Sequence, residues 1–173
     1  MLLPMLPQAL SVTSWSAWWF LPFVLPICAY VCFTDLREMR ITNQAVLALA
    51  GVFLIVGLIA LPLPVYGQRL LQMVIVLVVG MVLNAGGAIG AGDAKFAAAA
   101  APFVAPGDAM LLLMIFAANL LAAFVTHRIA KYTALRRLSP HWQSWDMGWE
   151  FPMGLSLGGS LAIYLILGAV LGS

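Results

Sequence analysis

Charge is what this sequence has least of. Its 173 residues include 8 Lys and Arg and 6 Asp and Glu, 8% charged against 64% hydrophobic. A soluble domain carries about 25% charged residues. So few charges cannot cover a water-facing globule, which leaves the bilayer as the main solvent. The net charge of +2 offers no basic field for nucleic acid, whose phosphates demand one. Cysteine is scarce too: Cys28 and Cys32 are the 2 present. Four apart in an apolar run, they share one helix face and favour neither a disulfide nor a metal site, which needs more ligands. They read as small buried hydrophobes. There is no Walker lysine motif, no HExxH and no Ser-His pair. Gly90-Ala91-Gly92 follows an apolar run rather than a strand, so dinucleotide-loop logic fails. His127 and His141 lie in or beside a basic stretch, and no metal role is expected of them. The first residues have no Lys or Arg, and Pro4 and Pro7 interrupt them. They are not expected to be a signal peptide and are kept in the mature protein. No internal repeat or linker divides the chain, so one membrane-embedded domain over 1–173 is expected.

What remains is apolar runs. A transmembrane helix takes about 20 such residues. The runs predict spans at 15–34, kinked by Pro22 and Pro26, and at 41–61, stopped by Pro62 and Pro64. Further spans are expected at 68–84, 93–104, 108–126 and 151–171. The fourth is short: it either extends back into the glycines before it or is only partly inserted. The expected fold is an all-α bundle of about six transmembrane helices. With the N-terminus outside, the inner loops hold Arg37, Arg40, Lys95, Arg128, Lys131, Arg136 and Arg137, and the outer side holds Arg69 alone. That asymmetry sets the orientation. The polar stretch 127–150 reads as an interfacial loop near anionic headgroups, with Trp142, Trp145 and Trp149 at the membrane surface.

Acids beside a bilayer are costly and tend to mark function. Asp35 closes the first span and Asp93 opens the fourth, so the topology brings both to the inner face. Two carboxylates that meet in a partly dry site suggest an aspartyl pair, one ionised and one protonated. Bland readings stand beside this one. Asp93 could be an N-cap, and Asp35 could pair with Arg37 or Arg40. Asp108, after Pro106-Gly107, reads as a cap, and Asp146 and Glu150 as solvated loop residues. The glycines at 86–92 could serve close packing or leave room for a substrate chain.

Three segments resemble one known family. Gly90-Ala91-Gly92-Asp93-Ala94-Lys95 is similar to the GxGD-x-K motif of type IV prepilin peptidases. Asp35 to Asn43 resembles that family's first motif, an Asp, a basic segment and then Ile-Pro-Asn, with Thr42 in place of the usual proline. Phe151-Pro152-Met153-Gly154 resembles the Pro-x-Gly segment of its last helix. The resemblance implies an endopeptidase that trims the leader from prepilins and pseudopilins at the cytoplasmic membrane face. It implies Asp35 and Asp93 as the catalytic pair, with no metal or organic cofactor. Gly90, Gly92, Lys95, Asn43, Pro152 and Gly154 fall on supporting motif positions, and Lys95 could bias Asp93 or meet a substrate carboxylate. Arg37 and Arg40 are candidates for substrate binding. The chain lacks the cytoplasmic insert with paired Cys-x-x-Cys motifs that accompanies N-methylation in larger members, and looks like the minimal form associated with tight-adherence (Flp-type) pili. The sequence does not give the oligomeric state. Two other classes compete: an ion- or proton-coupled transporter, and a non-catalytic pilus or secretion assembly factor.

Overall fold

A computed structural model describes residues 10–148 and 150–173. Pro4, Pro7 and Trp149 lie outside the described residues. The chain is all-α, and among the described residues the one extended pairing is an isolated bridge from Leu10 to Gly172. Six helices follow in order: α1 Ser14–Glu38, α2 Asn43–Ala60, α3 Leu63–Ala85, α4 Ala91–Ala100, α5 Ala109–Tyr132 and α6 Met153–Leu171. Among the described residues five segments are long and apolar enough to cross a membrane, namely α1, α2, α3, Pro106–Tyr132 and α6.

The helix ends explain where the expected spans shift. Thr13 caps α1, its Oγ1 accepting from the Ser16 N–H at 3.2 Å. The helix runs past Thr34 to Glu38, so Asp35 lies inside the last turn rather than beyond it. It stops because Met39 turns left-handed, φ 50°, and returns its N–H to the Asp35 carbonyl at 2.9 Å. Thr42 caps α2 by accepting from the Ala45 N–H at 3.3 Å, a service proline could not give. Pro62 and Pro64 end α2 but also start α3, five residues before the expected Gln68. A proline in the first turn loses no helical hydrogen bond. α5 continues past 126 to Tyr132, which puts His127 on a helix and not in a loop.

The fourth span is the one that departs most. α4 starts at Ala91, so it does not extend back through Gly86–Gly90, and it gives way to 3-10 turns at Ala101–Phe103 and Pro106–Asp108. These pieces still carry the chain the length of the bundle. Asp93 sits with Asp35 at one end, while Asp108 binds the backbone of Ser11 and Val12 at the other. Pro102 and Pro106 break the helix into segments without turning the chain back.

Small residues let α1 and α6 approach closely. A Cβ at Gly158 would lie 3.0 Å from Cys32 Sγ and 3.1 Å from the Cys28 carbonyl. The two cysteines are free, and they are the small side chains of this contact. Beside it Phe20, Phe53 and Phe103 interlock, with centroids 4.8 to 5.9 Å apart. The outer faces of α3 and α5 expose Leu71, Val78, Leu113 and Leu121. In a protein of this composition those faces meet lipid.

Candidate active site

Asp35 and Asp93 line one cavity of about 250 Å³ at the end of the bundle. Met39, Arg40 and Ile41 close it from the α1–α2 turn, and Phe151 and Met153 from the start of α6. These five were not singled out from the sequence as cavity walls, except Arg40. Their one signal was adjacency to the acidic motifs.

Asp35 is held hard. It is 5% exposed, and its Oδ2 accepts from the Gly154 N–H at 2.6 Å. That N–H belongs to the first turn of α6, where amides have no partner within the helix and the dipole favours a negative charge. Pro152, fully buried at the N-cap, sets the entry of α6 toward Asp35. Gly154 must be glycine for space: a Cβ there would stand 2.9 Å from both Cβ and Oδ2 of Asp35. The alternative pairing of Asp35 with Arg37 or Arg40 does not form. Both arginines turn to Glu38, at 3.8 and 3.4 Å.

Asp93 is not the N-cap of α4. Gly90 holds that position, and Asp93 is three residues in, with its carboxylate folded back over Gly90. A Cβ at Gly90 would lie 2.7 Å from Asp93 Oδ2. Gly92 faces Ile41, where a Cβ would be 3.4 Å from the isoleucine Cβ, so the start of α4 lies against the α1–α2 turn. Lys95 lies two residues on, so it points away from Asp93. Its Nζ donates to Asn43 Oδ1 at 3.2 Å, tying α4 to the start of α2.

The stretch 134–148 is more built up than a plain interfacial loop. Trp145 is buried, stacks on His127 at 5.0 Å and donates to the Ser139 carbonyl at 2.7 Å. It therefore packs inward and not at the membrane surface. His127 also meets the edge of Phe151 at 5.8 Å, and neither ring nitrogen has a partner. Lys131 and Arg128 hold the carbonyls of Met147 and Gly148 at 2.7 and 3.1 Å. This stack fixes the segment that becomes a wall of the aspartate cavity, and nothing in the sequence reading pointed to it. Asp146 is exposed and pairs with Arg136 at 2.7 Å. Among the described residues no group of three His, Cys, Asp or Glu gathers at one point.

Residues 12–127 match the model of the type IV leader peptidase family. The chain belongs to this family. No curated protein and no solved structure matches it. The matched stretch of this leader peptidase contains both cavity aspartates, whereas Gly154 and the His127-stacked loop lie beyond it. Peptidase chemistry in a multi-pass membrane chain is thus established by family and by its five apolar helices.

Proposed function

We propose that this leader peptidase is an aspartic endopeptidase that cleaves the leader of Flp-type prepilins and pseudopilins. In this reading the cytoplasmic membrane holds the chain with the cavity at the cytoplasmic face. The observation that carries it is the meeting of Asp35 and Asp93 in one small cavity, within the region that matches the family. Arg37, Arg40, Lys95, Arg128, Lys131, Arg136 and Arg137 on the same side support the orientation. A carrier would place its acids toward the midplane, whereas these two sit at the mouth.

Two carboxyls in a half-dry cavity cannot both ionise cheaply, so one keeps its proton. The ionised carboxylate takes a proton from water as the water oxygen adds to the scissile carbonyl carbon. The protonated carboxyl gives its proton to the carbonyl oxygen. The resulting diol then collapses: one hydroxyl gives its proton back to the second carboxylate, the C–N bond breaks, and the amine leaves with the proton held by the first carboxyl. The pair titrates as a unit, so neither residue is assigned permanently as acid or base. Gly154 fixes Asp35 through its N–H, while Gly90 leaves space for Asp93. Lys95 and Asn43 brace the helix that carries Asp93, and no cofactor enters the scheme.

The test is co-expression of an Flp-type prepilin with wild type, Asp35→Asn and Asp93→Asn, read by N-terminal mass. Wild type should release the leader. Both variants should lose at least about 10³-fold in rate at equal membrane abundance, since Asn cannot shuttle the proton. Processing by either variant would refute the two-aspartate scheme.

A further inference from the structure

A second recess, of about 480 Å³, opens beside the aspartate cavity. Arg37, Glu38 and Arg40 wall it from the end of α1, and His141 and Gln143 from the loop. Arg40 lines both spaces, so an occupant of the recess touches the same side chain as an occupant of the cavity. The recess is electrically unbalanced. One carboxylate, Glu38, faces two guanidinium groups, with Arg40 Nη2 at 3.4 Å and Arg37 Nε at 3.8 Å. Neither contact is a two-pronged pair, which is the geometry a guanidinium prefers with a carboxylate. The arginine side chains are 58% and 69% exposed, so their forks are free to turn. Gln143 and His141 add N–H donors to the opposite wall. That wall is anchored through the stack of Trp145 on His127.

We propose that this recess is a substrate subsite for the side-chain carboxylate of an acidic residue a few positions from the scissile bond. The inference rests on the leader-peptidase reading above and adds a specificity element to it. An extended chain advances about 3.3 Å per residue, so two spaces that share one arginine are a few residues apart. A lipid phosphate would also suit the arginines. The substrate chain is favoured because Arg40 lines both the recess and the cavity where that chain must lie.

The experiment uses whichever prepilin the wild-type protein cuts, with the full-length enzyme in vesicles. Each Asp or Glu within about six residues of the cleaved bond is changed singly to Asn or Gln. One such change should raise KM about fivefold, the upper range for an exposed charge pair, with kcat nearly unchanged. Arg37→Gln should raise KM equally for the original substrate and not at all for the neutralised one. Arg37→Glu should regain affinity for the substrate carrying Lys at that position. Arg37 is chosen because it lines the recess and not the aspartate cavity. The subsite is refuted if no acid lies in that window, if no neutralisation moves KM, or if Arg37→Gln weakens both substrates alike. It is also refuted if the Arg37 effect appears in phosphatidylglycerol vesicles and vanishes in phosphatidylcholine, which would assign the recess to headgroups. Wild type that cuts no prepilin at all would instead refute the function proposed above.

Discussion

Replacing Gly154 by alanine would put a methyl group 2.9 Å from both Oδ2 and Cβ of the buried Asp35 side chain. Something has to move, and in the proposed scheme the carboxyl is the group that must stay in place. Gly154→Ala is expected to cut processing by about tenfold or more while costing about 1–3 kcal/mol of stability, an overpacking penalty. Gly90→Ala should act likewise on Asp93, whose Oδ2 would lie 2.7 Å from the new Cβ. Leader release at matched membrane abundance, with thermal unfolding in detergent, separates the two effects.

Among the elements, the end opposite the cavity is held by a polar knot. Asp108 occupies the N-cap position of α5, as its place after Pro106-Gly107 implied, but it makes no capping bond there. Its carboxylate accepts instead from Ser11 N–H at 2.8 Å, Val12 N–H at 3.0 Å and the Tyr164 hydroxyl at 2.8 Å. The Tyr164 oxygen in turn accepts from the Ala105 N–H at 3.0 Å. This ties the residues before α1 to α5 and α6, just where the fourth crossing breaks into 3-10 turns. Asp108→Ala leaves buried donors unsatisfied and should cost about 2–4 kcal/mol. Thermal unfolding would measure it, and leader release per folded molecule should change little, because the knot is at the far end. A local cap would cost nearer 1 kcal/mol.

For the whole molecule, the proposed orientation predicts which loops meet which solution. In a background with Cys28 and Cys32 replaced by Ala, single cysteines at Ser139 and at Pro62 should label from opposite sides of intact cells. Ser139 lies on the loop at the aspartate end, and Pro62 joins α2 to α3 at the other. An impermeant maleimide should reach Pro62→Cys from outside and Ser139→Cys only after the membrane is opened. The reverse pattern would turn the cavity away from the cytoplasm and remove the proposed substrate's access.

The amino-acid sequence alone determined the solvent, the helical class and five of the spans. These depend on local composition, which a bilayer reads nearly residue by residue. It also pointed to Asp35 and Asp93, because charge is so rare here that each acid stands out, and because span order and the family motifs set these two apart from the other acids. Helix ends were less legible. Pro62 and Pro64 read as a stop for α2, and only the start of α3 directly behind them reveals that they are a beginning as well. What held each carboxyl was decided by tertiary structure. Asp35 had two arginines as near neighbours in sequence, yet its partner is the amide of Gly154, far along the chain. Asp108 left its own helix for the backbone of Ser11 and Val12. Trp145 turned inward onto His127. Each of these contacts joins segments remote in sequence, and a hydrogen bond or a ring stack is a matter of distance and direction that no local pattern encodes.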